Sequence, residues 1–389
     1  MEAMAKEIHK YINELHDELL GVSRYIFQNP EVGFQEKKSS LKLVEVLRKH
    51  AFEVTYPVAG IDTAFQATFS HEAKKPHIAV LAEYDALPEI GHACGHNLIA
   101  TAGLGAGLAI SKLLSSVKGK VSVIGTPAEE ILTDSGKMRL LGAGVFKDVD
   151  AAMIAHPHGK TWLDRPFLAV DEIKVSFSGK SSHAASTPHL GINAYDAIQL
   201  TFTGLSFLRQ QLRQDARIHW GDLKVRGAKN VIPDASSATI NVRALDDDYA
   251  KEVMRKVVNC IKGATLMTGC TADYEIIQGY RAMKFNQCLN ELFAKNLDCL
   301  RVNIDEVPQY GGAASTDMGN VSQVVPSIHP FYKIKDGVVP HTREFAEAAN
   351  SEGAFEATLD AAKAMAMTAA ALFFNPDKLK QVKAEFKRT

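Results

Sequence analysis

Between residues 4 and 27, Ile8, Ile12, Leu15, Leu19, Val22 and Ile26 recur at steps of three and four, the apolar stripe of an amphipathic helix. A second helix is expected over about 40–49. The pattern then changes. Three short apolar runs, 78–82, 121–125 and 151–155, carry no charge and are separated by stretches of helical character at 98–114 and 136–141. Uninterrupted apolar strands alternating with helices predict an α/β domain whose mainly parallel sheet is covered on both faces.

Residues 167–280 follow a different order: strand 169–178, helix 193–213, strands 219–224 and 235–244, helix 248–266, strand 271–277. That β-α-β-β-α-β succession is the split unit of a small ferredoxin-like α+β domain. Helical pattern returns after residue 284 and includes a long Ala-rich helix over 352–373. The simplest organisation is a discontinuous domain, 1–166 with 281–389, interrupted by an inserted domain at 167–280.

Composition narrows the function classes. The 389 residues carry 44 Lys plus Arg against 45 Asp plus Glu, so no overall field would hold nucleic acid or an anionic membrane. Five cysteines, Cys94, Cys260, Cys270, Cys288 and Cys299, are an odd number for a disulfide framework and read as thiols. Residues 1–20 interleave charges with their apolar positions, unlike a signal peptide, and no uninterrupted apolar run reaches the ~20 residues of a membrane span. A soluble, reducing, cytoplasmic setting is the expectation.

In an open α/β sheet, ligands bind beyond the carboxyl ends of the strands. After the first apolar run come Glu83-Tyr84-Asp85 and then His92-Ala93-Cys94-Gly95-His96-Asn97. Glu129-Glu130 follow the second run and His156-Pro157-His158 the third. Three strands thus deliver thiol, imidazole and carboxylate to one edge. Singly, each has a plain reading: a buried thiol, a loop histidine, acids in the first turn of a helix. Together they would be costly to bury unpaired, and a divalent cation resolves them jointly.

The ordered motifs Asn29-Pro30-Glu31-Val32-Gly33-Phe34, Asp85-Ala86-Leu87-Pro88, His92 to His96, Glu129-Glu130, Gly179 to Ala185, Asn230-Val231-Ile232-Pro233, Ser315-Thr316-Asp317 and Pro340-His341-Thr342 span nearly the whole chain. In this set the sequence resembles the dinuclear-metal amidohydrolases and peptidases, a group including hippurate hydrolase, auxin-conjugate hydrolases, aminobenzoyl-glutamate hydrolase and β-alanyl-lysine-type dipeptidases. The resemblance implies a catalytic domain with a lid domain through which a homodimer forms. It also implies hydrolysis of an amide beside a free carboxylate, in an N-acyl amino acid, an aminobenzoyl-glutamate-like compound or a dipeptide. Carried over, Cys94, His96, Glu130, His156 and His341 become ligands of two divalent ions, zinc or manganese. Glu129 becomes the general base, Asp85 the residue orienting a ligand histidine, and His183 the oxyanion donor from its own or a neighbouring subunit. Asn230 and Arg243 become candidates for the substrate carboxylate. Glu83 and Asn97 stand where hippurate-hydrolase-like members often have Asp, which favours the dipeptidase and aminobenzoyl-glutamate branch. Two other readings stay open: a cysteine amidase with Cys94 as nucleophile, and a non-catalytic binding relative.

Overall fold

The computed structural model describes residues 2–307 and 313–388. The chain divides into two compact units. The larger comprises Met1–Arg165, Lys284–Gly312 and Asn320–Thr389; the smaller comprises Pro166–Met283 and Ala313–Gly319.

The apolar runs form strands of the larger unit, with extra strands at both ends. In chain order these are β1 (Glu53–Thr55), β2 (Phe65–His71), β3 (His77–Ala82), β4 (Gly119–Gly125), β5 (Ala151–Met153) and β6 (His156–His158). After the smaller unit's β7 (Ala169–Ser178), β8 (Arg217–Arg226), β9 (Ala235–Ala244) and β10 (Thr271–Gln278) come β11 (Ser327–Ile328) and β12 (Phe331–Lys333). The main sheet has the order β1-β2-β4-β3-β5-β11. Its members β4, β3, β5 and β11 are parallel, whereas β1 and β2 add an antiparallel edge. The antiparallel strand β2, between β1 and β4, was not among the expected elements, although its apolar Phe65, Ala67 and Phe69 alternate with Gln66, Thr68 and Ser70 at the period of a half-buried strand. Register fixes the site's location: Ala82 lies opposite Gly125 and Val80 opposite Met153, so the loops after these strands leave from one edge.

The single helix expected over 4–27 is two, Glu2–Glu14 and His16–Gln28, divided at Leu15. Both keep the stripe inward, with Ile8, Ile12, Leu19, Val22 and Ile26 all buried. Helix His96–Leu113 covers the sheet so completely that Lys112 alone among its residues is exposed. Helix Glu352–Phe374 packs on it, and is long and apolar enough to cross a bilayer by length and composition. Most of it is buried within the larger unit, which is the character of a core helix.

The smaller unit is a four-stranded antiparallel sheet, β10-β7-β9-β8, backed by helices Ala194–Leu208 and Asp247–Thr268. Alternate residues of β7 and β9, among them Ile173, Val175, Ile240 and Val242, meet Ile198, Leu205, Val253 and Val257 in a separate core. Ala313–Gly319, expected with the catalytic domain, clusters here instead. Leu168 N donates to Ala314 O at 2.7 Å and Arg243 Nη1 to Ser315 Oγ at 3.1 Å, tying that segment to β7 and β9.

This packing makes two changes informative. A Cβ on Gly103 would lie 2.4 Å from the Leu81 carbonyl oxygen, a backbone atom that cannot step aside. Gly103→Ala should therefore lift helix His96–Leu113 from β3 and cost about 1–3 kcal/mol in urea unfolding. Secondly, His77 is buried beside Lys120 and Lys75, with Nδ1–H donated to Asp148 O and Nε2 accepting from Ser122 Oγ. Burial, then Lys120, hold its pKa down at about 4, while Asp150 opposes them. The unfolded chain, near 6.5, binds the proton first, so this contribution is complete above pH 6.5 and is lost as pH falls toward 4. It amounts to at most on the order of 3 kcal/mol. His77→Gln should flatten the fall in unfolding free energy between pH 6.5 and 4; an unchanged slope would refute the assignment.

Candidate metal centre

The loop after β3 and the turn into helix His96–Leu113 carry the first donors. Gly95, between Cys94 and His96, has φ +75°, and a Cβ there would come 2.5 Å from Pro157 Cγ. Glycine is required at this turn. His96 is fully buried, and its Nδ1–H is donated to Asp85 Oδ1 at 2.9 Å. Its Nε2 lone pair then points at carboxylates, 3.7 Å from Glu83 Oε2 and 3.9 Å from Glu130 Oε1. Asp85 serves a second residue, because Oδ2 accepts the Glu130 backbone N–H at 3.0 Å. One buried carboxylate thus sets both an imidazole and the chain that bears Glu130.

Glu129 and Glu130 follow Ala128, a left-handed residue at φ +58°. Ala128 N donates to Glu36 Oε1 at 2.8 Å, and Thr63 Oγ1 donates to Glu36 Oε2 at 2.9 Å. Burial, reinforced by Asp85, pushes the Glu36 carboxyl up to about 7. At the start of β6, His156 donates Nδ1–H to Pro157 O at 2.7 Å, leaving Nε2 3.5 Å from Cys94 Sγ. Burial and the neighbouring His329, stacked at 5.5 Å, keep its pKa well below the usual imidazole value. His341 sits at φ +66° with its N–H bonded to Ala93 O, and its Nε2 lies 3.3 Å from Glu130 Oε1.

The donor atoms of Cys94, His96 and His156 all lie within 4.8 Å of one another, as do those of Cys94, Glu130 and His341, and those of His96, Glu129 and Glu130. Two trios share the Cys94 sulfur. Glu83 Oε2, His96 Nε2 and Glu130 Oε1 are buried without a hydrogen-bond partner, although buried polar atoms are nearly always satisfied. These orphaned atoms converge, and thiolate, imidazole and carboxylate together suit zinc or manganese. The residues fit a pair of divalent cations. Burial, then the charge of Glu130, pushes the Cys94 thiol well above its ordinary value, the opposite of what a nucleophilic thiolate needs.

The remaining expected residues lie in the smaller unit. His183 is exposed, and its Nδ1 accepts N–H bonds from Ala185 and Ser186 at 3.2 and 3.1 Å, which puts the ring proton on Nε2. Asn230 is exposed beside it, its carbonyl bonded to Ala184 N at 3.0 Å. Burial lowers the pKa of Arg243, half-buried on β9. Of the 311–317 loop, Gly311 and Gly312 lie outside the described residues; Thr316 and Asp317 are buried. Sequence reasoning gave no role to Glu83, Lys137 or His329, all fully or nearly fully buried around the cluster. The place of Glu83 after β3 was a signal for it; Lys137 offered none.

Residues 170–266 match the model of the peptidase dimerisation domain. The chain is 37% identical to the Xaa-Arg dipeptidase of Mus musculus over 100% of its own length and 93% of the relative's. It is 29% identical to a p-aminobenzoyl-glutamate hydrolase chain of Escherichia coli, covering 98% and 95% of the two chains. Among solved structures, a putative aminohydrolase from methicillin-resistant Staphylococcus aureus superposes with a TM-score of 0.77 at 22% identity, over 91% of this chain and 98% of that one. A dinuclear metal binding peptidase of the M20 family from Bacillus subtilis does so with a TM-score of 0.66 at 20% identity, over 93% and 98%. With a full-length relative well above 30% identity and this constellation of donors, the chain belongs to the M20 family of peptidases and is a metal-dependent amide hydrolase.

Proposed function

We propose that this enzyme is a dipeptidase, cutting the amide bond beside the free carboxylate of a dipeptide, with a carboxyl-terminal arginine the first substrate to test. The observation that carries the reading is the pair of donor trios joined at Cys94. The relatives support the substrate class, since the mouse protein at 37% identity is an Xaa-Arg dipeptidase. One ion would be held by Cys94, His96 and His156 and the other by Cys94, Glu130 and His341, with zinc or manganese as the native metal. When bound, such ions supply Lewis acidity toward the scissile carbonyl and the attacking water.

The protein's own residues supply the rest. Glu129, adjacent to ligand Glu130, takes the proton of the attacking water and passes it to the leaving nitrogen. Asp85 keeps the His96 proton on Nδ1, so that Nε2 faces the cluster. His183, protonated on Nε2, is in the tautomer that can donate to the carbonyl oxygen as negative charge develops there. Arg243 offers a planar fork suited to the substrate carboxylate, with Asn230 as a further donor. The dimerisation-domain match supports a homodimer formed through the smaller unit, and the composition a cytoplasmic enzyme.

Glu129→Gln should lower kcat by about 10²–10⁴-fold while metal content, measured by elemental analysis, stays at the wild-type value. Near-wild-type turnover would remove the base assignment. Dialysis against a chelator should abolish hydrolysis, and added zinc or manganese should restore it. Activity that survives the chelator but is lost to a thiol alkylator would return Cys94 to the role of nucleophile.

A further inference from the structure

Lys137 and Glu83 are both fully buried beside the metal centre, and the mechanism above uses neither. Lys137 is the second residue of the short helix Gly136–Gly142, and lysine is almost never fully buried without a partner. Its Nζ donates to Glu83 Oε1 at 2.6 Å. A pair serving only to hold the core together would direct both carboxylate oxygens at donors. Here Oε2 accepts no hydrogen bond, lies 3.7 Å from His96 Nε2, and belongs to a carboxylate that offers an oxygen within 4.8 Å of one of Glu129.

Charge points the same way: Cys94, Glu129, Glu130 and Glu83 gather acidic donors in one small volume, and the Lys137 ammonium offsets one of those charges, so that Glu83 can be buried facing the site.

We infer that Glu83 is a further oxygen donor to the metal pair, and that Lys137 is the positioning residue that occupies Oε1 and turns Oε2 toward the cations. The inference rests on the proposed metal-dependent function and adds one carboxylate to its donor set. Glu83 binds through one oxygen only, because the ammonium holds the other.

The experiment titrates chelator-stripped protein with Mn²⁺ by calorimetry, comparing wild type with Glu83→Gln/Lys137→Met, which removes both buried charges at nearly constant volume. Wild type should bind two ions. The double variant should keep an unfolding temperature close to that of metal-free wild type, yet bind one of the two ions at least ~10-fold more weakly. Two ions bound with wild-type affinity would show that the pair only fills the core, and would overturn the inference while leaving the hydrolase reading intact. A wild-type chain that binds neither Mn²⁺ nor Zn²⁺ would instead overturn the hydrolase reading, and the inference with it. Should the double variant fail to fold, Glu83→Asp keeps the charge but shortens the reach. It should weaken the same ion while circular dichroism stays unchanged; unaltered affinity there equally overturns the inference.

Discussion

The structure depends on a concentration of negative donors at one end of a buried sheet. Asp85, Glu83 and the Cys94 sulfur are almost wholly removed from water, and Glu130 is mostly so. Their field acts on the neighbouring groups: His96 is pulled well above its usual value against the opposing effect of burial, chiefly by Asp85 and Cys94, and burial with the charge of Glu130 pushes the Cys94 thiol up. A field of this sign favours a cation at the same place.

Orientation is economical for so crowded a centre. Asp85 bonds an imidazole through one oxygen and the backbone of Glu130 through the other. A single residue therefore couples the loop after β3 to the loop after β4, and displacement of either loop would disturb members of both trios. The backbone carbonyl of Pro157 does for His156 what Asp85 does for His96, fixing the tautomer that leaves Nε2 toward the cluster. His96 and His156 thus each commit the Nδ1 proton away from the cluster and turn Nε2 toward it.

The strands that aim these residues were legible as charge-free apolar runs, since parallel strands buried on both faces leave that trace. The strand-end rule then pointed to Cys94, His96, Glu130 and His156, because the chemistry follows directly where each run stops. Less was visible where tertiary context decides. β2 alternates too modestly among neighbouring polar residues to stand out, and the break at Leu15 leaves the helical stripe in phase, so two helices read as one. His341, far along the chain in a loop, was placed by resemblance alone, since no local periodicity marks it. Lys137 sits in a helix first turn where lysine would ordinarily be solvated, and nothing in its neighbours announces that Glu83 lies across from it.

Backbone strain follows the same geography. Ala128, Glu89 and His341 adopt left-handed φ values of 58°, 66° and 66°, conformations that cost a non-glycine residue of order 1 kcal/mol or more. Each flanks or belongs to the loops around the centre, and two are held by hydrogen bonds from outside their own loop: Ala128 through Glu36, His341 through Ala93. A relaxed backbone at Ala128 would turn Glu129 and Glu130 away from the sheet edge, and one at His341 would withdraw the ring from Glu130. The well-packed sheet and helices below supply the stability against which these loops are strained. That division of labour, a rigid apolar base beneath a few forced turns, is how side chains separated by more than two hundred residues come to share one small volume.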